Sequence, residues 1–494
     1  MDFWPLFWKI ILISGISLFI LMFIFVSFRG FFEIKDLLGI KRARDNSNDV
    51  IDYTKNYKRT IFTWSLYDFA NQPYPTIIIT FIYSNFFTKT LAADYPNGDV
   101  MWLFAISICA IIIALLSPLM GAIADRSGYR KTYLIISTWV CVISTIFLYF
   151  PLPGQIFFAL SLVVISNAAF EMGQVFCNSY LPDIAPKEKI GRVSGYGWSF
   201  GYVGGLIALG LALVLFVQPE TPAFGITKEA GEHIRVTNLM VAIWFLIFSI
   251  PVFLLLDSDK KDKSQKLNLM EESFGQLKNT FNNIRNYKEL LKFLIARIFY
   301  NDGLVTIFAF GGIYAAGTFD FTFEDIMIFG IVLNIAAGLG AYLMGFIDDK
   351  IGGKNMIQIS NIGLIIACAI AVIVPNEHLF SANIPVIGNI DVTGKTFFWI
   401  SGILIGIFSG PNQASSRSLM ARFIPKKMEN EFFGFFAFSG KATAFVGPMI
   451  LGILTQTFDS QRFGVAVVVI MFLIGFILLQ SVDEKEGIKV ANRN

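Results

Sequence analysis

The chain has 494 residues, of which 55% are hydrophobic, 15% aromatic and 15% charged, and its formal net charge is +3. Its mean hydropathy of +0.63 lies outside the range of soluble domains, and the small net charge gives no support to nucleic-acid binding. Apolar runs long enough to cross a membrane recur along nearly the whole chain. We therefore predict an all-α membrane protein with short loops and no large soluble domain.

The first apolar run covers residues 9–28 and precedes a charged segment. Its start, MDFWPLFWK, carries little positive charge, and no small-residue cleavage site follows it. We interpret it as a retained extra transmembrane helix rather than a signal peptide. Run length and turn residues predict twelve core helices after it. They are placed at 61–88, 101–124, 132–150, 156–181, 193–217, 237–256, 290–317, 325–347, 355–374, 396–420, 432–457 and 462–481.

Lysine and arginine are concentrated in every second loop. One set of loops carries the basic stretch 260–292 and residues such as Lys187 and Lys426, whereas the other set carries few basic residues, among them Lys89 and Lys228. Cytoplasmic loops are enriched in lysine and arginine. We therefore expect the C-terminus in the cytoplasm and the N-terminus outside, in the plasma (inner) membrane if the protein is bacterial.

An internal repeat divides the chain. GAIADRSGYRK (121–131) recurs as GFIDDKIGGKN (345–355), and these two segments are called the repeat loops here. The matching pairs are Gly121 with Gly345, Asp125 with Asp349, Arg126 with Lys350, Gly128 with Gly352, Arg130 with Lys354 and, further along the chain, Gly195 with Gly434. The repeat predicts six units: an extra helix (1–30), a linker (31–60), a six-helix half (61–257), a cytoplasmic loop with an amphipathic helix (258–289), a second six-helix half (290–482) and a cytoplasmic tail (483–494).

The repeat loops and five other segments carry a family resemblance. The pattern Gly-x-x-x-Asp-Arg-x-Gly-x-Arg-Lys in the first repeat loop resembles the signature of the major facilitator superfamily. Five segments resemble its vacuole-effluxer-like branch, which includes fungal autophagy-related vacuolar amino-acid effluxers and bacterial relatives. They are LYDFANQPY (66–74), YLPDIAPKEKIGRVSGYGWSFGYVGG (180–205), YNDG (300–303), QASSRSLMARFIP (413–425) and FSGKATAFVGP (438–448). The resemblance implies a major facilitator fold, transport of amino acids, and repeat loops that stabilise the outward-open state.

A polar stripe marks the fourth core helix. Ionisable groups within a membrane are costly and face a bundle interior or a water-filled cavity. The stripe spans residues spaced three and four apart, which lie within about 60° of one another on a helix. Its members are Asn167, Glu171, Gln174 and Asn178. We predict that Glu171 and Gln174 contribute to a substrate or proton-coupling site.

The first core helix repeats this pattern. Asp68 and Asn71 share one face of the helix, and Pro73 and Pro75 follow at once. Proline removes a backbone donor and kinks or breaks a helix. A break beside a charged residue is typical of a discontinuous substrate-binding helix, so we place Asp68 and Asn71 in the same site.

The second half contributes cations. Arg297 and Asn301 share a face of the seventh core helix, and Lys441 lies well inside the eleventh. Asp302 points about 140° away from Arg297 on a regular helix, and we expect the following Gly303 to break the helix and redirect it. All four polar residues are assigned to the substrate or proton-coupling site.

Each charged residue also has a structural interpretation. Glu171 or Asp68 would neutralise Arg297 or Lys441 as an ion pair between the halves. Arg417, near the cytoplasmic end, would direct its charge toward lipid headgroups.

The repeat loops are interpreted as conformational parts. Gly121 and Gly345 would permit close helix approach. Asp125 and Asp349 would cap a neighbouring helix and pair with Arg130 or Lys354.

We predict a secondary active transporter that works by alternating access, not an enzyme. A cavity with carboxylates from one half and cations from the other suits a small zwitterion such as an amino acid. Its carboxylate would meet Arg297 or Lys441, and its ammonium Glu171 or Asp68. Those carboxylates would also bind a proton in one state, so proton coupling stays open. The alternatives are an organic-anion, peptide or lipid transporter of the same fold, and a membrane receptor or scaffold without transport.

No cofactor or metal is predicted. Both histidines, His233 and His378, lie in loops, and the chain has no phosphate-binding loop. The expected partners are membrane lipid and a small-molecule substrate, and the protein partner of the extra N-terminal helix is left undetermined.

Overall fold

The computed structural model describes residues 53–95, 98–256, 269–282, 284–384, 388–426 and 428–493. The predicted extra helix (1–30), most of the predicted linker (31–60) and the first part of the predicted cytoplasmic loop (258–289) lie outside these residues. The described chain is almost entirely helical, as the sequence predicts.

Residues 53–256, here called the N-terminal segment, begin with an interrupted helix. Helix α1 (Tyr53–Asn71) ends just before Pro73, and π-helical turns follow at Tyr74–Phe81 and Phe87–Leu91, on either side of the short α2 (Tyr83–Phe86). The break predicted beside Asp68 is therefore present. The longer helices are α3 (Gly98–Ser127), α4 (Arg130–Phe147), α5 (Ile156–Asn178), α7 (Ile190–Ala212, continued by a π-helical turn Leu213–Val217) and α8 (Glu232–Leu255), with the short α6 (Leu181–Ile184) and single 3₁₀ turns at Lys187–Lys189, Ala223–Gly225 and Glu229–Gly231.

Residues 284–493, here called the C-terminal segment, follow a linker helix, α9 (Leu269–Asn282). The segment opens with a 3₁₀ turn (Ile284–Tyr287). Its helices are α10 (Lys288–Phe319), α11 (Phe323–Ile351), α12 (Gly353–Ile373), α13 (Gly394–Phe423), α14 (Glu429–Lys441), α15 (Val446–Thr457), α16 (Gln461–Gln480) and α17 (Glu484–Arg493). A four-residue break directly after Lys441 separates α14 from α15. One predicted helix (432–457) is thus discontinuous beside a charged residue.

Nine described helical stretches are long and apolar enough to cross a membrane. They are Gly98–Ser127, Ile156–Ile184, Lys187–Val217, Glu229–Leu255, Lys288–Phe319, Glu324–Ile351, Gly353–Ile373, Glu429–Thr457 and Gln461–Gln480. Helices α1, α4 and α13 pack among them, α1 on α7 and α8, α4 on α5 and α8, and α13 on α11 and α12. The chain is a multi-pass integral membrane protein.

The connection between α12 and α13 differs from the predicted loop. It forms an antiparallel hairpin of β1 (His378–Ile384) and β2 (Gly388–Thr393). A connection outside the helices must satisfy its own backbone donors and acceptors, and strand pairing does so.

Two matching helix crossings join the segments. Helix α3 packs on α14, and α11 packs on α7. At the first crossing a Cβ added to Gly121 would overlap the backbone of Asn430, and one added to Gly434 would overlap that of Ser117. At the second, Gly345 and Gly195 face the backbones of Arg192 and Ala341 in the same way. The glycine pairs found by the sequence repeat therefore meet across the two segments, where only glycine permits this approach.

Candidate functional site

A cavity of about 1620 Å³ lies between the N- and C-terminal segments. It extends from the exposed side chains of Lys89 and Lys228, in the basic-poor connections, to Glu171 and Lys441 deep between the helices. Its walls are mostly apolar and aromatic. The other polar side chains in its wall include Asn167, Asn301 and Gln413. A largely apolar cavity with a few convergent polar groups is typical of a small-molecule site.

An ion pair between the segments lies in the wall of this cavity. Lys441 Nζ, at the end of α14, lies 2.6 Å from Glu171 Oε1 on α5. Their side chains are 32% and 16% exposed, so both reach the cavity while being partly withdrawn from water. Each charge compensates the other in a medium where an unpaired charge is costly.

A second ion pair, more deeply buried, closes the space beyond the cavity. Arg417 lies one helical turn after the cavity residue Gln413 and donates to Asp68 Oδ2 at 2.8 Å. It also donates to Asn178 Oδ1 at 3.0 Å and to the Ser194 hydroxyl and carbonyl at 2.9 and 2.7 Å. The side chains of Arg417 and Asp68 are only 3% and 8% exposed. These four residues are called the Arg417 cluster.

The position of Arg417 and the partner of Asp68 both differ from the predictions made from the sequence. Arg417 does not reach toward lipid headgroups but is packed against the rings of Trp64 and Trp198, 4.7 and 5.7 Å from their centroids. The partner of Asp68 is Arg417 rather than Arg297 or Lys441. Since α1, α5 and α7 hold the acceptors and α13 the guanidinium, the cluster ties the two segments together.

Arg297 lies behind the cavity wall rather than in it. Its guanidinium donates to the Phe436 carbonyl and to Ser439 Oγ, both at 2.7 Å, and stacks on the Phe436 ring at 3.6 Å. Asn301, which does line the cavity, lies 3.5 Å from it. The hydrogen-bond acceptors of Arg297 are thus uncharged groups of the C-terminal segment.

Asp302 is buried, but its helix does not break as predicted. Helix α10 runs without interruption through Gly303, so the expected break at that glycine is wrong. A helix break lies instead beside Asp302 in another part of the same chain, between α14 and α15. Asn71 and Gln174, also assigned to the site, bond to each other at 3.0 Å and do not line the cavity.

Asp125 of the first repeat loop caps the start of α14. Its carboxylate accepts hydrogen bonds from the backbone N–H groups of Asn430 and Glu431, at 3.0 and 2.8 Å, and from the Asn430 side chain at 2.7 Å. A carboxylate at a helix N-terminus satisfies free donors and interacts favourably with the helix dipole. The cap connects the N-terminal segment to the C-terminal segment.

Asp349 of the second repeat loop makes the symmetry-related contact. It accepts from the backbone N–H groups of Gly191 and Arg192 at the start of α7, at 2.9 and 3.2 Å, and forms an ion pair with the Arg192 side chain. The face on which Asp125 and Asp349 lie is called the repeat-loop face. Both segments are held together there.

Other repeat-loop residues have different partners from those expected. Arg130 pairs with Asp183 at 2.7 Å, not with Asp125, and Lys354 donates to the Gln480 carbonyl at 3.0 Å. Arg126 donates to Gln276 of the linker helix at 2.6 Å, whereas Lys350 is exposed. Gly128 and Gly352 have φ values of +63° and +91°, which other residues rarely adopt.

Sequence reasoning missed several members of the site. Ser194 and Trp198 surround Arg417, and Tyr202 accepts a hydrogen bond from Gln413 at 3.1 Å. All three lie in the segment YLPDIAPKEKIGRVSGYGWSFGYVGG, whose small and aromatic residues at helical spacing were the available signal. Their role depends on which helix packs against α7, and the sequence of α7 does not specify that.

The cavity is thus closed toward the repeat-loop face and extends to the opposite face. Closure involves the Arg417 cluster, the two carboxylate caps and the glycine crossings. These contacts connect the two segments, so they are the contacts that must break if the opposite face is to close and this one to open.

Comparison with known proteins identifies the family. Residues 97–492 match the family described as vacuole effluxer Atg22 like. This chain belongs to that family. Among the relatives of this Atg22-like protein is the Bacillus subtilis (strain 168) protein YxiO, described as an uncharacterized MFS-type transporter. The two are 27% identical over 445 residues, which cover 89% of this chain and 98% of YxiO. Autophagy-related protein 22 of Kluyveromyces lactis is 22% identical over 414 residues, which cover 79% of this chain and 81% of the relative.

Solved structures show the fold of the Atg22-like chain. The proton:xylose symporter XylE matches with a TM-score of 0.65 and 12% identity, covering 88% of this chain and 98% of XylE. FucP, a major facilitator superfamily transporter solved in the outward conformation, matches with a TM-score of 0.64 and 12% identity, covering 87% of this chain and 99% of FucP. The fold is that of the major facilitator superfamily, and the Atg22-like protein is a membrane transporter rather than an enzyme.

We expect Asp125→Ala to shift the Atg22-like protein away from the closed repeat-loop face. Loss of a helix cap costs about 0.5–2 kcal/mol, which corresponds to roughly a 2- to 30-fold change in the equilibrium. Cys177, fully buried beside the Arg417 cluster, should react faster with a maleimide in a variant that keeps it as the only cysteine. Asp99→Ala, an exposed change at the other end of α3, is the control. Equal labelling rates in the two variants would contradict a role of the cap in closure.

Proposed function

We propose that this protein is a secondary active transporter of small zwitterions, amino acids in particular. The observation that carries the proposal is the Glu171–Lys441 ion pair at the inner end of the cavity, with one charge from each segment. We further propose two six-helix halves (61–257 and 290–482), twelve core helices and one extra N-terminal helix. The halves would rock about the site so that it opens to one side at a time.

The ion pair explains why a zwitterion suits the cavity. A solute that enters between Glu171 and Lys441 separates them, and each charge then needs a new partner in a medium of low dielectric constant. An amino acid supplies both partners, since its ammonium compensates Glu171 and its carboxylate compensates Lys441. A neutral solute supplies neither. Asn167, Asn301 and Gln413 offer further hydrogen bonds, and the apolar wall accommodates a side chain.

The distribution of basic residues supports an orientation for this cycle. Lysine and arginine are concentrated on the repeat-loop face, and this supports a cytoplasmic position for that face. The conformation described here would then be outward-open, stabilised by the caps of Asp125 and Asp349. We include coupling to a proton gradient in the proposal, because buried carboxylates near the cavity can exchange protons between states.

An organic anion is the second candidate substrate. Arg297 makes no ion pair with any carboxylate of the described residues; its hydrogen bonds go to neutral acceptors. When the charge of Glu171 is neutralised by a bound proton or cation, Arg297 and Lys441 together would leave an excess of positive charge near the cavity. This candidate predicts uptake of solutes that lack an ammonium group.

We expect Glu171→Gln to lower the apparent affinity for amino acids about 10- to 150-fold. A hydrogen bond to a charged group contributes about 1.5–3 kcal/mol, and 1.4 kcal/mol is tenfold in affinity. The measurement is uptake of a ¹⁴C-labelled mixture of the twenty protein amino acids into proteoliposomes, followed by the active amino acids singly. Glu220→Gln, on an exposed loop, is the matched control.

Two other results would change this conclusion. Unchanged affinity in Glu171→Gln would assign the ion pair a structural role only. Absence of uptake by folded wild-type protein, with uptake of organic anions in its place, would replace the amino-acid substrate by the second candidate.

A further inference from the structure

Asp302 is a buried carboxylate that has no ionic partner among the described residues. It lies on α10, is 3% exposed, and its Oδ1 makes no hydrogen bond. It forms no ion pair with the residues that the structure describes. In this it differs from Glu171 and Asp68, whose charges are compensated by Lys441 and Arg417. An isolated carboxylate in such surroundings is more stable with a proton bound.

The surroundings of Asp302 offer a hydroxyl rather than a charge. Thr443, in the break between α14 and α15, has its buried hydroxyl beside the Asp302 carboxylate. This hydroxyl can donate a hydrogen bond to the ionised carboxylate. The neighbours Asn301 and Thr306 line the cavity, so Asp302 lies directly behind the cavity wall.

Few charged groups of the described part of the chain lie near Asp302. Arg297 on its own helix acts on it electrostatically. Helix α14 contributes Lys441, already paired with Glu171 of α5. At the level of Gly303 and Gly447, α16 contributes the uncharged Phe472 and Met471. From α13, Ser416 bonds to the Tyr300 hydroxyl at 2.8 Å.

We propose that Asp302 carries the coupling proton of the transporter. The proposal rests on the transport function proposed above and names the residue that couples it. With Asp302 ionised, the two cations Arg297 and Lys441 are balanced by the two carboxylates Glu171 and Asp302. With Asp302 protonated, this group has a net charge of +1 and attracts the substrate carboxylate. Proton and substrate therefore favour each other's binding, and thermodynamic coupling of this kind is reciprocal.

The test measures gradient-driven accumulation and exchange in proteoliposomes that contain either the wild type or Asp302→Asn. The Asp302→Asn variant mimics the protonated state. The probe is the ¹⁴C-labelled mixture of the twenty protein amino acids. With an imposed gradient of about one pH unit, one coupled proton supports an accumulation ratio of about ten, since one unit is worth 1.36 kcal/mol. We expect Asp302→Asn to reduce this ratio to about one while exchange of internal for external amino acid continues without a gradient.

Several outcomes overturn the proposal. Gradient-driven accumulation by Asp302→Asn equal to that of wild type does so, and so does loss of exchange in a variant that is folded. Wild-type uptake that does not respond to the gradient contradicts the proton site but is consistent with the proposed transport function. Absence of wild-type uptake in either mode contradicts the transport function itself.

A second variant keeps the proposal testable if Asp302→Asn does not fold. Thr443→Val removes the hydroxyl beside the Asp302 carboxylate and changes the volume little. We expect it to shift the pH midpoint of gradient-driven uptake upward, because the ionised carboxylate loses the hydroxyl donor that stabilises it. An unchanged midpoint overturns the proposal. Thr455→Val, on α15 away from Asp302, is the matched control.

Discussion

Arg417→Gln is expected to abolish transport and to destabilise the protein by about 3–5 kcal/mol. The change leaves Asp68 buried without its cationic partner, and removal of one member of a buried ion pair has a cost of this size. It also removes donors to Asn178 and Ser194, so the Arg417 cluster no longer closes the repeat-loop face. The measurements are uptake in proteoliposomes and thermal unfolding in detergent.

The double variant Asp68→Asn/Arg417→Gln distinguishes the cost of leaving one charge unpaired from the effect of losing the ion pair. With both charges removed, no buried charge is left unpaired, and we expect most of the lost stability to return. Transport should stay low, because the attraction between the segments that closes this face is missing. Lys350→Gln, on the same face but exposed, is the control. A double variant as unstable as Arg417→Gln would show that the ion pair is not the source of the stability.

Gly195→Val and Gly434→Val are expected to prevent closure of the repeat-loop face. At either position a Cβ would overlap the backbone of the opposing segment. Overpacking of this kind costs about 1–3 kcal/mol, equivalent to a roughly 5- to 150-fold shift between conformations. Transport should fall accordingly, and Cys177, as the only cysteine, should be labelled faster by a maleimide.

Gly210→Val provides the matched control for the first variant, since it lies on the same helix and a Cβ there meets nothing within 4 Å. For Gly434 the corresponding control is Gly452→Val, also without neighbours within 4 Å. Normal transport by Gly195→Val or Gly434→Val would mean that the helices can separate at these crossings without loss of the working conformation.

The residues of the repeat loops and of the five family-like segments were sufficient to indicate the correct superfamily and family. Each repeat loop combines a glycine for close approach, an aspartate for capping and a glycine with positive φ. These are local requirements, so they are readable from a short segment. The helical fold was likewise predictable, because a membrane forces backbone hydrogen bonds to be satisfied within each apolar run.

The pairing of charges was not predictable in the same way. Asp68, Glu171, Arg297, Arg417 and Lys441 were all visible as polar residues in apolar runs, and several pairings were equally consistent with helical spacing. Arg417 was interpreted as a residue near lipid headgroups, yet it donates to three residues of the opposite segment. Helical periodicity gives the face of a helix but not its neighbour.

Sequence by itself therefore determined the membrane location, the helical class, the repeat and the identity of the polar residues, because each of these depends on a contiguous stretch of chain. Tertiary structure alone decided that Glu171 meets Lys441, that Arg417 meets Asp68, and that Asp302 is left without an ionic partner among the described residues, beside a break in another helix. The physical reason is that these outcomes depend on distances between helices far apart in the chain, and packing of the two segments sets those distances.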